Sequence, residues 1–116
     1  MITIKPCFDE QIIGFKLLEN QRCMVLRDEE NILGKGIFTI SDDFAKVDKI
    51  DAFDNGNAFF ILKSILNSID LMGIKEVISE NEDLKDCLIK AGFEFENGLY
   101  KLNLNGYFDC QCKKGW

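Results

Sequence analysis

The chain has 116 residues, 47% of them hydrophobic and 29% charged, with a formal net charge of −6. That is enough for one domain, residues 1–116, around a single core. The acidic balance excludes the broad basic face that nucleic acid or an anionic membrane surface would require.

No apolar run approaches the ~20 residues of a membrane span. The N-terminal residues also lack a basic-then-apolar leader, so the expected compartment is the cytoplasm. Five cysteines (7, 23, 87, 110 and 112) and no histidine give no disulfide framework; small buried thiols are the expectation. Cys110 and Cys112 form a C-x-C without the further nitrogen or sulfur ligands that tetrahedral zinc needs, so no metal site is expected.

In chain order, residues 2–5 predict a strand ended by Pro6, the only proline. Residues 8–19 carry apolar positions at 8, 12, 15 and 18, a loose helical spacing weakened by Gly14. Residues 23–27, a polar turn at 28–31 and residues 32–40 predict a β-hairpin, and 44–53 adds a third antiparallel strand after a turn at 41–43. The period then changes. Ala58, Ile61, Leu62, Ile65, Leu66, Ile69 and Met72 line one face of a long helix that ends at Gly73.

A strand at 75–79 completes a βαβ crossover, which makes it parallel to 44–53. Leu84, Cys87, Leu88 and Ala91 mark a short helix with Ser79 or Asn81 as cap. Glu82 and Asp83 suit its positive end, Lys90 its negative end, and Gly92 stops it. Asn97-Gly98 predicts a type I′ hairpin in which 96 faces 99, 95 faces 100 and 93 faces 102. Residues 105–116 show no period. The class is α/β (α+β): a mixed, mostly antiparallel twisted sheet with one crossover and a C-terminal hairpin.

Two stretches carry chemistry. Gly56-Asn57-Ala58 opens the long helix, where unpaired N–H groups and small side chains suit a pyrophosphate. As a turn and N-cap, Asp54-Asn55-Gly56 would read equally well without a ligand. The second stretch is NEDLKDCLIKAGF, residues 81–93. With the element order, these motifs resemble the GNAT family of acetyl-CoA-dependent N-acetyltransferases. That family has Arg/Gln-x-x-Gly-x-Gly/Ala before its long helix, a Gly about fifteen residues on, and an Asn-led helix ending in Lys-x-Gly-Phe. Here Gly56, Ala58, Gly73, Asn81, Lys90, Gly92 and Phe93 hold those places. The likeness covers about residues 22–104.

The resemblance implies acetyl-CoA, or another acyl-CoA, as co-substrate, held by Ala52, Phe53, Asn55, Gly56, Asn57, Ala58 and Asn81. The strand amides near Ala52 and Phe53 would polarise the thioester carbonyl. It also implies a carboxylate that takes the proton of the attacking amine. Asp48, Asp51, Glu76 and Glu80 are candidates, with Asp48 and Asp51, three apart, expected on opposite faces of the sheet. Tyr100 or Tyr107 is the candidate proton donor, because Leu88 stands at the family's usual Tyr.

Phe53 likewise replaces the family's Arg or Gln, and Asp54 adds a negative charge. Only residues 6–21 are available for the acceptor wall, so a homodimer partner would complete it or a small-molecule or peptide amine would meet an open pocket. The expected activity is acyl transfer to an amine. The alternative is a catalytically inactive GNAT-fold module that binds CoA or a protein.

Overall fold

The structure is a computed structural model that describes residues 2–108. Seven strands form one sheet in the order β1-β2-β3-β4-β5-β7-β6. They are β1 (Ile2–Pro6), β2 (Gln21–Asp28), β3 (Asn31–Ile40), β4 (Phe44–Ala52), β5 (Glu76–Ser79), β6 (Glu94–Glu96) and β7 (Leu99–Asn103). The helices are α1 (Glu10–Ile13), α2 (Asn55–Leu71) and α3 (Lys85–Ala91). All strand pairs are antiparallel except β4 with β5, as the crossover requires. Among the described residues no helix is long and apolar enough to cross a membrane.

The core lies mainly between the sheet and α2. Ile61, Leu62, Ile65, Leu66 and Ile69 are fully buried and pack on Met24, Leu26, Phe38, Val47 and Val77. Met72, predicted on the same stripe, is half exposed because α2 ends at Leu71. Two glycines set how closely α2 approaches β3. A Cβ at Gly36 would lie 2.6 Å from Ile61 Cγ2 and 2.7 Å from Ile65 Cδ1; one at Gly34 would lie 2.8 Å from Ile61 Cδ1. Real side chains do not come that close, so these two positions act as the trough for the helix.

On the opposite face Ile13, Cys23, Val25 and Ile37 form a smaller buried cluster. Its cover is thin. The helical spacing over 8–19 yields only the four-residue α1, capped by Asp9 and stopped at Gly14 in the left-handed region (φ 96°). The Gly14 N–H closes that turn on Glu10, and Lys35 Nζ donates to the Ile13 carbonyl from β3. Leu17 packs against this cluster, but Phe8, Phe15 and Leu18 remain exposed, so among the described residues the stripe at 8, 15 and 18 finds no surface to hold a continuous helix.

The C-terminal half follows its sequence signals closely. Asn97 (φ 53°) and Gly98 (φ 82°) form the primed turn. Glu96 faces Leu99, Phe95 faces Tyr100 and Glu94 faces Lys101. The Phe95 and Tyr100 rings lie 4.9 Å apart. The short helix begins as a 3-10 turn, Glu82–Leu84, capped by Asn81 rather than Ser79. Ser79 is fully buried and donates instead to the Val47 carbonyl, 2.9 Å away. Cys110 and Cys112 lie outside the described residues.

Two outcomes follow. Gly36→Val forces a side chain into Ile61 and Ile65 and lowers unfolding free energy by about 1–3 kcal/mol in urea titration. Burial, then the neighbouring Cys7, pushes the Cys23 thiol from its ordinary 9.0 up to about 11. The unfolded chain therefore loses this proton first. The Cys23 contribution is intact below pH 9 and fades as pH rises towards 11. Cys23→Ala should flatten the fall of Tm with pH across that window; an unchanged slope contradicts the assignment.

Candidate active site at the parting of two strands

β4 and β5 pair only over Phe44–Lys46 and Glu76–Ile78, after which β4 runs on to Ala52 while β5 ends at Ser79. The cause is a bulge. Ile37 pairs with Lys49 but Phe38 pairs with Val47, which leaves Asp48 as the extra residue. In a regular strand consecutive carbonyls point to opposite edges. Here both are met by side chains from the end of β5: Ser79 Oγ donates to the Val47 carbonyl at 2.9 Å and Asn81 Nδ2 to the Asp48 carbonyl at 3.1 Å. These side chains end the ladder and prop the strands apart. Beyond them, among the described residues, nothing accepts from an amide of residues 49–53 on the edge facing away from β3.

The bulge also corrects the expected facing of the carboxylates. Asp51 is opposite Lys35 and Asp48 accepts a hydrogen bond from Thr39 Oγ1 at 2.5 Å. Lys35 and Thr39 share one face of β3, so Asp48 and Asp51 lie on the same face, that of α1. The extra residue shifts the parity of the strand between them.

A hollow of about 220 Å³ opens at this point, lined by Lys46, Val47, Asp48, Glu80 and Asn81. It brings Asp48 and Glu80 together. Lys46 Nζ stands 3.9 Å from Asp48. Asp51 lines a separate hollow of about 200 Å³ with Lys35, Ala52, Phe53 and Ile12 of the α1 segment. Glu76 is exposed in the paired part of β5, facing Phe44 and Asn103. Tyr100 is not part of either hollow. It is 3% exposed, and its hydroxyl donates to Glu82 Oε1 at 3.1 Å. Burial and then the Glu82 carboxylate raise its pKa. Tyr107 is held by Lys63 and donates to the Ala91 carbonyl, and Leu88 is fully buried.

At the front of α2, among the described residues, nothing accepts from the amides of Asn55 and Gly56, as a helix start dictates. The Asn57 amide is already taken. Asp54 Oδ1 accepts it at 2.7 Å and Oδ2 accepts from Asn57 Nδ2 at 3.2 Å. The chain thus supplies its own anion where a phosphate would sit. Phe53 is 90% exposed and lines the hollow beside Asp51, and Ala58 bonds back to the Asp54 carbonyl. The splayed strands and free amides fit a pantetheine arm and a phosphate, while the Asp54 carboxylate opposes the latter. Among the described residues no group of His, Cys, Asp and Glu could hold a metal.

The bulge and the side-chain props at Ser79 and Asn81 escaped sequence reasoning. The one available hint was that Asp48-Lys49 puts two polar residues in succession on a strand that otherwise alternates.

No family model matches the sequence, and no curated protein resembles it closely enough to count as a relative. Solved structures do match. A GNAT family acetyltransferase from Elizabethkingia anophelis with acetyl-CoA bound superposes with a TM-score of 0.70 at 16% identity, over 89% of this chain and 98% of that one. The spermidine/spermine N-acetyltransferase SpeG from Vibrio cholerae gives 0.69 at 14% identity, over 95% and 99%. The ribosomal-protein-S18-alanine N-acetyltransferase from Escherichia coli gives 0.67 at 13%, over 84% and 80%. The chain has the GNAT fold.

The opposition at Asp54 is measurable. Asp54→Asn keeps a cap but removes the charge, and should tighten acetyl-CoA binding several-fold by calorimetry. Asp54→Ala loses the cap as well and should cost about 1 kcal/mol of stability. Weaker binding by Asp54→Asn would mean that the carboxylate assists the ligand.

Proposed function

We propose that the protein transfers an acyl group from acyl-CoA, in the simplest case acetyl-CoA, to a primary amine by direct attack. The observation that carries this reading is the bulge at Asp48 with the parted strands beyond it. It combines an open backbone edge with two carboxylates at one hollow. The fold supports it too, since the superposed proteins are acetyltransferases and one holds acetyl-CoA.

When bound, the acyl-CoA supplies an activated thioester. In this reading the chain's own groups do the rest. The β4 amides beyond the bulge align the arm, and those near Ala52 and Phe53 donate to the carbonyl oxygen as charge develops on it. Asp48, fixed by Thr39 and Lys46, receives the incoming ammonium. Glu80, exposed and without a fixed partner among the described residues, takes its proton directly or through water. The nitrogen then attacks the carbonyl carbon, gives its second proton to water, and is left in an amide bond as the carbon–sulfur bond breaks. The departing thiolate needs little help, because a thiol's reference pKa is near ~8.5. Water can therefore protonate it, in place of the tyrosine that the family has where this chain has Leu88.

In this reading Asn81 keeps the strands apart rather than holding the acyl-CoA itself, and Tyr100 supports β7 from within the core. Asp51 borders the acceptor side, where α1 offers a short wall open to a small-molecule or peptide amine. The acid cap at Asp54 favours a second reading, a module of this fold that binds CoA weakly or not at all and does no chemistry.

Acetyl-CoA should raise Tm, as ligand linkage requires, and a panel of amines should release free thiol. Glu80→Gln should then lower kcat/KM by about a hundredfold with Tm and acetyl-CoA affinity unchanged. A Tm shift without turnover supports the second reading as a CoA-binding module; no shift overturns acyl transfer and leaves the module that does not bind CoA.

A further inference from the structure

We propose that Cys7 and Cys23 are a thiol pair placed to form a reversible disulfide between the end of β1 and the start of β2. The inference is independent of the acyl-transfer reading. β1 and β2 are antiparallel, with Pro6 opposite Met24. The next residues, Cys7 and Cys23, therefore face one another, and the Cys7 N–H donates to the Cys23 carbonyl at 2.8 Å. Residues paired in this way have Cα atoms about 5.5 Å apart, within the ~4.4–6.8 Å that a disulfide spans. In such a hydrogen-bonded pair the Cβ atoms lie towards the wide end of ~4.5–5.5 Å, so they close by about 1 Å to reach the ~3.5–4.5 Å of a disulfide.

Both side chains lie on the α1 face, in the cluster with Ile13, Val25 and Ile37. Cys7 is the first residue past the end of β1. Both are thiols in this structure.

The two differ in access. Cys23 is buried, while Cys7 is half-buried and lines a hollow of about 170 Å³ with Thr3, Ile12 and Arg27. Cys7 therefore reacts first. Its thiolate attacks a low-molecular-weight disulfide, forming a mixed disulfide and releasing one small thiolate. Cys23 then gives its proton to water and attacks the Cys7 sulfur, releasing the second small thiolate. Two electrons pass from the protein thiols to the small disulfide, which leaves as two thiols. The bond formed joins β1 to β2 at the foot of α1, the element covering this face. Burial keeps the Cys23 thiol above its ordinary range, so the second step is the slow one and quickens as pH rises.

The test uses the full chain with Cys110→Ser and Cys112→Ser, incubated with oxidised glutathione, then alkylated and mapped by peptide mass. The expected product is a peptide pair linking Cys7 to Cys23, preceded by glutathione on Cys7, with a raised Tm that dithiothreitol reverses. Cys7→Ser, a half-buried change, should abolish the link and the Tm rise. A reaction that stops at the mixed disulfide, or a link that involves Cys87 instead, overturns the proposal.

Discussion

One extra residue in β4 governs the site. By opposing two residues to one on β3, the bulge at Asp48 turns two successive carbonyls towards β5, where Ser79 and Asn81 meet them with side chains. The sheet stops there. Had β4 stayed regular, β5 could have continued beside it, and the amides of residues 49–52 that face away from β3 would have been spent on a ladder. The same insertion brings Asp48 onto the face that carries Asp51 and sets it beside Glu80. The open edge and the carboxylates thus have one cause.

The second constraint is the position of α2. Gly34 and Gly36 let Ile61 and Ile65 sink against β3, which fixes the helix start at the end of β4. A phosphate there would meet the amides of Asn55 and Gly56 and the positive end of a 17-residue helix. It would also meet Asp54. The carboxylate that makes α2 start cleanly competes for the berth the helix creates, so local stability and ligand affinity pull in opposite directions at one residue. The exposed Phe53 does not offset this, since it offers no cation.

The sequence made the C-terminal half legible because each signal there was local and redundant. Asn97-Gly98 fixed a turn, the turn fixed the register, and the alternation of Phe95 and Glu94 agreed with both. The i, i+3, i+4 stripe of α2 was just as plain. Long-range geometry was not. Whether residues 8–19 hold a helix depends on a partner surface that the described residues do not build, so periodicity overstated α1. Counting by twos put Asp48 and Asp51 on opposite faces, because a bulge leaves no dependable mark in the residue types. Asn81 looked like a ligand group or a cap. It is a cap and a prop at once, and the second role follows from a carbonyl thirty-three residues earlier. The hollow at Asp48 and Glu80 was half visible as a choice of carboxylates, but their meeting was not.

The central claim is that the backbone edge of β4 beyond the bulge, with the first amides of α2, receives an acyl-CoA. Titration of the isotopically labelled protein with acetyl-CoA, followed by amide NMR, tests it most directly. The account predicts shifts concentrated at residues 49–52 and at Asn55 and Gly56, with little change in β1 or β6. No shifts at these amides at millimolar acetyl-CoA, or shifts confined to a distant surface, would contradict it.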